Sequence, residues 1–141
     1  MDYSSTPLAK KLGIREGSLV HLVRQPDGFA DRLEPLPDGV EFLTRASKGF
    51  DVVILFALRE VDLRKRFTPL AAKIDPAGRL WVAWPKKASN VDTDLDFGTV
   101  QTIGLDAGLV DNKSASITDV FQGLQFVYRL KDRPRGSVAT A

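Results

Sequence analysis

The sequence has no cysteine, a single histidine, and no apolar run long enough to span a bilayer. The lack of cysteine excludes disulfides, thiolate nucleophiles and thiolate metal sites. The longest apolar stretch, 52–58, is far shorter than the roughly 20 residues of a membrane-spanning helix. The N-terminal stretch carries an early acid and no apolar signal core, so we expect a cytoplasmic protein with no membrane partner.

The rest of the composition is that of an ordinary globular chain. The protein has 141 residues, of which 43% are hydrophobic and 27% charged, which suits one domain with its own core. We expect a single domain over 1–131 and a flexible tail at 132–141, which shows no apolar pattern. The net charge of +2 is too small to indicate a nucleic-acid partner, whereas a protein partner or a homo-oligomer stays open.

Apolar stretches typical of buried strands recur along the chain, and the first four alternate with helical patterns. Strands are predicted at 18–24, 40–44, 50–58, 78–84, 109–117 and 124–130. The short segment 118–123 cannot hold a crossover, so it predicts that the last two strands form an antiparallel hairpin.

Two longer helices are predicted between these strands. The first starts near residue 59, and Pro69 inside its pattern predicts a kink or a restart capped by Thr68. The second starts at residue 94 or 96 and ends at Gly108. The apolar stripes are Leu63, Phe67, Leu70 and Ile74 in the first and Phe97, Val100 and Ile103 in the second.

Alternating strands and helices predict an α/β fold, with a small doubly wound and mostly parallel sheet and a C-terminal antiparallel strand. The layout resembles the methyltransferase-type Rossmann fold, shortened at its front end. That resemblance implies a sheet order of second, first, third, fourth, sixth and fifth strand. The apolar stretch 50–58 would then lie at the centre of the sheet.

Each predicted parallel strand is followed by a cation. These are Arg24, Arg45 and Arg59 after the first three strands and Lys86 and Lys87 after the fourth, with Ser89 close by. The carboxyl ends of parallel strands share one rim of the sheet, where ligands of open α/β folds bind. The sequence therefore predicts a site for an anionic small molecule or a nucleotide, and the alternative is a set of scattered solvated charges.

The fourth strand, "LWVAWPKK", also carries both tryptophans. Trp81 and Trp84 are three residues apart, so on a strand they point to opposite faces. The favoured interpretation places both in the core. The alternative is that one of them lines the ligand crevice.

The residues that a methyltransferase uses for its cofactor are missing. The turn after the first strand contains only Gly28 where a Gly-rich turn is needed, and Arg45 stands where an acid would bind the ribose. We therefore expect no S-adenosylmethionine binding and no cofactor. His21 lies inside a strand and is interpreted as a core residue.

We also expect no metal, because the acidic stretch 92–98 departs from a calcium loop at Phe97 and Ile103. No catalytic constellation is apparent from spacing.

Four segments, "YSSTPLAKKLGI", "PDGF", "LWVAWPKKAS" and "GLVD", together resemble the bacterial domain of unknown function 3052 family. The positions on that family's pattern are Thr6, Pro7, Lys11, Gly13, Trp84, Pro85, Lys86, Lys87 and Ser89. The resemblance implies a methyltransferase-like fold without the cofactor motif and a bacterial origin, and it implies no activity.

The function expected from the residues is a binding module for an anionic small molecule or nucleotide. The alternatives are a protein-interaction or regulatory domain on a degenerate methyltransferase scaffold, and an enzyme of unknown type.

Overall fold

The computed structural model describes residues 6–44 and 49–132. The strands are β1 (Leu19–Val23), β2 (Glu41–Phe42), β3 (Phe50–Phe56), β4 (Ile74–Pro85), β5 (Leu109–Ser116) and β6 (Phe121–Tyr128). The helices are α1 (Leu8–Lys11), α2 (Phe29–Arg32), α3 (Glu60–Ala71) and α4 (Phe97–Asp106). Within the described ranges, every helix is too short or too polar to cross a membrane.

The six strands form one sheet in the order β2-β1-β3-β4-β6-β5. β1 pairs in parallel with β2 and β3, and β3 pairs in parallel with β4. β6 is antiparallel to both of its neighbours, so β5 runs in the same direction as the first four strands. The predicted doubly wound sheet, its strand order and its single antiparallel strand are confirmed.

Both faces of the central strands are covered by helices. Val53 and Leu55 of β3 pack in a core with α3 and α4. The alternate residues Val52, Ile54 and Phe56 pack in a second core with α1 and α2. This two-sided burial explains why β3 is apolar at almost every position instead of alternating.

The two tryptophans divide between these cores, as their spacing predicts. Trp84 lies in the core under α3 and α4, and Trp81 lies in the core under α1 and α2. Both are buried. The Trp81 Nε1–H donates a hydrogen bond to the carbonyl of Leu12 at 3.0 Å, which satisfies its polar atom.

The structure corrects two helix predictions. α3 runs unbroken through Pro69, and Ile74 belongs to β4 instead of the helix stripe. Pro69 lies on the exposed side of α3, while Phe67 and Leu70 beside it are buried. Their burial outweighs the loss of one helical hydrogen bond on the solvent side.

The start and end of α4 are those predicted, but one residue of its stripe is not buried. Asp96 is the N-cap, and Gly108 follows the helix with a positive φ of 94°. Val100 and Ile103 are in the core, whereas Phe97 is 46% exposed. The prediction that Phe97 packs in the core is therefore wrong: Phe97 is the first residue of the helix, and its ring contacts Trp84 while nearly half of the side chain stays in solvent.

A glycine allows α4 to lie directly on β6. A Cβ atom at Gly104 would lie 2.0 Å from the Phe126 ring, whereas one at Gly98 would meet only Asp96 at 3.7 Å. The Phe126 ring packs edge-on against Phe67, which leaves it little room to move.

We expect Gly104→Ala to lower the free energy of unfolding by about 2 kcal/mol, because overpacking outweighs the better helix propensity of alanine. The matched control is Gly98→Ala on the same helix, which should be neutral or slightly stabilising. Urea denaturation of both variants measures the difference. Equal stability of the two variants would contradict the close packing of α4 on β6.

Candidate functional site

A cavity lies at the carboxyl ends of β1 and β3. The chain leaves β1 toward one side of the sheet and β3 toward the other, so this is the point where the strand order reverses. Ligands of open α/β sheets bind at such a point. The cavity measures about 600 Å³, which is within the range of small-molecule sites. We call it the switch-point cavity.

Apolar side chains form most of the wall of the switch-point cavity. They include Phe56 at the end of β3, Leu58 after it, and Phe121 at the start of β6. The Phe56 and Phe121 rings meet edge to face with centroids 5.0 Å apart. The wall suits a flat apolar group.

Two of the predicted cations, Arg24 and Arg59, also line this cavity. Arg24 Nε lies 3.5 Å from Asp62 Oδ2, and the other oxygen of Asp62 accepts a hydrogen bond from Arg66. Arg59 pairs with Asp92, and the hydrogen bond to this carboxylate raises the pKa of Arg59. Each arginine of the cavity therefore has an acidic partner.

A second concave region lies at the end of β4, on the face of the sheet that α4 covers. The register pairs Trp84 with Gln122, and Gln122 with Ser116, so these three side chains share that face. Lys86 and Lys87 follow β4 directly, and Phe97 borders the region from the first turn of α4. Its volume is about 510 Å³. We call the region lined by these six residues the lysine groove.

Lys86 is held in place by the local structure at the end of β4. Its backbone N–H donates to the carbonyl of Val120 at 2.7 Å, and its Nζ donates to Ser116 Oγ at 2.7 Å. The hydroxyl of Ser89 donates to the carbonyl of Lys86 at 2.6 Å, so this hydroxyl stabilises the turn. Within 6–44 and 49–132, neither Lys86 nor Lys87 forms an ion pair with a carboxylate.

The predicted site residues therefore occupy two regions. Arg24 and Arg59 line the switch-point cavity, and Lys86 and Lys87 line the lysine groove. Arg45 lies outside the described residues. Phe56 and Phe121 belong to the core on one face of the sheet, whereas Trp84 belongs to the core on the other face.

Sequence reasoning missed several residues of these regions, namely Phe56, Leu58, Phe121, Phe97, Ser116 and Gln122. Gln122 was missed because β6 begins at Phe121 and not at residue 124, and a bulge in β5 explains Ser116. Asp111 pairs with Phe126 and Lys113 with Gln125, so one additional residue is inserted between them. No pattern in the sequence marks that insertion.

His21 has the core role predicted for it. It is buried, its ring stacks on Phe50 with centroids 4.8 Å apart, and Nδ1 lies 2.7 Å from the carbonyl of Leu43. In the described part of the chain, no cluster of three or more histidine and acidic side chains is placed to hold a metal ion.

Solved structures of similar fold include methyltransferases. The PH0226 protein of Pyrococcus horikoshii aligns with a TM-score of 0.60 and 12% identity over 87% of each chain. The magnesium protoporphyrin IX methyltransferase of Synechocystis, crystallised with SAH, aligns with a TM-score of 0.57 and 11% identity over 86% of this chain and 78% of its own. The DhpI–SAH complex aligns with a TM-score of 0.61 and 12% identity over 90% of this chain and 85% of its own.

These likenesses show that the chain has the methyltransferase-type fold. No family model and no curated protein matches the chain. Membership of the bacterial domain family named above therefore stays a prediction.

The capping residue of α4 gives a prediction that can be tested by pH. The pKa of Asp96 lies below its usual range, chiefly because its carboxylate accepts a hydrogen bond from the Thr99 backbone N–H at 2.8 Å. Its contribution to stability is therefore complete above the ordinary carboxyl pKa of about 3.9 and is lost as the pH falls through the lowered value.

We expect the melting temperature of the wild type to fall relative to that of Asp96→Asn between about pH 5 and pH 2, since the amide keeps the cap but does not titrate. Thermal melts across this range measure the difference. A constant difference between the two proteins would contradict the lowered pKa.

Proposed function

We propose that the protein is a binding module for a small organic anion with a flat apolar body, and that the switch-point cavity is its site. The observation that carries this proposal is the position of the cavity, at the reversal of strand order, with an aromatic wall and two arginines at its mouth. The shape and wall chemistry match small-molecule sites in general.

The ion pair of Arg24 is weak enough for a ligand to replace it. The Arg24 side chain is 56% exposed and its contact with Asp62 is 3.5 Å long. Exposed pairs of this kind contribute little free energy. Asp62 also accepts a hydrogen bond of 2.9 Å from Arg66 Nε, and it keeps this partner when Arg24 turns to a ligand. A carboxylate, sulfonate or phosphate could therefore bind Arg24 without leaving Asp62 unpaired.

We expect anilinonaphthalene sulfonate, an aromatic anion, to bind the native protein in this cavity. Its fluorescence should rise, and the largest amide NMR shifts should fall on Arg24 to Pro26 and Phe56 to Arg59. The double variant Arg24→Gln and Arg59→Gln should weaken binding about tenfold, as for loss of one charge-assisted hydrogen bond. The control is Lys65→Gln, an exposed charge on α3.

If the amide shifts fall on other residues, or if the variant and the wild type bind anilinonaphthalene sulfonate with equal affinity, the assignment of this site is wrong. Native mass spectrometry of protein purified from its own host would then identify any ligand retained elsewhere.

S-adenosylmethionine is a separate question, because several proteins of this fold are crystallised with SAM or SAH. In this chain the turn after β1 contains Pro26, which has no backbone N–H to offer a ligand, and only one glycine, Gly28. Phe29 already donates its N–H to the carbonyl of Pro26 at 3.1 Å. The turn therefore offers little of the open, donor-rich backbone that could bind the carboxylate of such a cofactor.

We expect calorimetry to detect no binding of S-adenosylmethionine at micromolar concentrations. The control is the same titration with anilinonaphthalene sulfonate, which verifies that the cavity is accessible in the sample. A micromolar dissociation constant for S-adenosylmethionine would refute the expectation and favour an enzyme.

A second candidate function is a protein-interaction domain. Leu58, which lines the cavity, is 42% exposed, and Val61 in the first turn of α3 is 78% exposed. Exposed apolar side chains of this kind are common at partner surfaces. If the cavity takes no small molecule, this interpretation becomes the favoured one.

A further inference from the structure

The charge of the lysine groove differs from that of the switch-point cavity. Each arginine of the cavity has a carboxylate partner, whereas Lys86 and Lys87 have none within 6–44 and 49–132. Asp96 interacts electrostatically with Lys87, but its carboxylate is occupied as the cap of α4. Two adjacent ammonium groups beside one engaged carboxylate leave a net positive charge, which is unfavourable until an anion binds.

Neutral hydrogen-bonding groups lie beside the two lysines. Ser116 Oγ accepts a hydrogen bond from Lys86 Nζ at 2.7 Å, and its own proton makes a long hydrogen bond of 3.4 Å to the carbonyl of Thr118, which a ligand can replace. The Gln122 side chain donates to the carbonyl of Pro85 at 3.3 Å, so its amide lies at the same end of β4. The ammonium of Lys86 has two further N–H groups that can donate hydrogen bonds. Several donors therefore converge on one region, as a phosphate with several acceptor oxygens requires.

An exposed aromatic ring forms the other side of the groove. Phe97 is 46% exposed although it starts a helix that otherwise packs on the sheet. Its ring meets Trp84 at 63° with centroids 6.4 Å apart, and nearly half of the side chain stays exposed. Covering this exposed part with a flat ring would remove apolar surface from water.

The groove is separate from the site of the proposed function. Trp84, Gln122 and Ser116 face the side of the sheet that carries α4. Phe56 and Phe121 of the switch-point cavity belong to the opposite side. The ends of β4 and β6 lie between the two regions, so a ligand of one does not occupy the other.

From these observations we propose that the lysine groove is a second site, which binds a phosphate ester carrying an aromatic ring, such as a nucleoside diphosphate. Lys86, Lys87 and Ser116 bind the phosphate, and the aromatic ring lies on Phe97. Lysine suits the phosphate because its ammonium is a compact charge on a flexible stem.

The test uses ADP and inorganic phosphate as probes, with amide NMR shifts to locate binding. ADP should shift Trp84, Lys86, Lys87, Phe97, Ser116 and Gln122. The double change Lys86→Ala and Lys87→Ala should weaken ADP binding about tenfold and reduce its salt dependence. Its melting temperature should stay within about 2 °C of the wild type, as for most surface changes.

Three further variants separate this site from general charge effects. Lys65→Ala with Lys131→Ala removes the same net charge from two exposed lysines elsewhere and should bind ADP like the wild type. Replacing Lys86 and Lys87 with arginine keeps the charge and should retain binding. Phe97→Leu should weaken ADP binding a few-fold and leave inorganic phosphate unaffected.

The proposal is overturned if ADP shifts none of these residues, if the Lys65 and Lys131 control loses as much affinity, or if removal of Lys86 and Lys87 lowers the melting temperature by several degrees. For either probe the position of the amide shifts tells the two sites apart, because the switch-point cavity and the lysine groove share no lining residue. If ADP does not bind in the lysine groove, the shifts expected there are missing. If the proposed function is wrong, the shifts expected at the switch-point cavity are missing.

Discussion

Burial of β3 and β4 on both faces is the constraint on which the rest of this structure depends. Val52 to Leu55 and Leu80 to Ala83 are all fully buried. These two stretches carry no charged side chain, and they need helices on each side to exclude water. The sheet order, the two separate cores and the placement of the tryptophans all follow from that requirement.

The same constraint gives the strand-end cations a partly structural origin. A charged residue can follow a strand that is buried on both faces only from the point where the chain reaches solvent. Arg59 after β3 and Lys86 after β4 are therefore expected at these positions even without a ligand. What distinguishes these residues is how their charge is compensated. Arg59 has Asp92, whereas the ammonium of Lys86 has the neutral hydroxyl of Ser116 and no carboxylate among residues 6–44 and 49–132. The lysine pair therefore carries the stronger argument for an anion.

One inserted residue decides the chemistry of the groove. The bulge in β5 shifts its register against β6, so Ser114 and Ser116 face the α4 side while Lys113 faces the other side. There Lys113 Nζ donates to the carbonyl of Lys11 at 2.8 Å. Without the shift, Lys113 and Ala115 would take the places of Ser114 and Ser116 on the α4 face of the sheet, because a one-residue slip exchanges the two faces of a strand. Gln125 supports the bulge by donating to Asn112 Oδ1 at 2.8 Å.

The sequence by itself determined the fold class and the opposite faces of Trp81 and Trp84, because apolar periodicity and connection lengths are local and can be counted along the chain. The strand order and the central position of β3 came from the resemblance to the methyltransferase-type fold, and the structure confirms both. Only the tertiary structure decided that Arg24 and Arg59 lie apart from Lys86 and Lys87, that Phe97 is exposed, and that Ser116 and Gln122 join the groove. The physical reason is that side-chain grouping at the rim depends on strand register, bulges and ion-pair partners distant in sequence, such as Asp92 for Arg59, and none of these leaves a periodic signal.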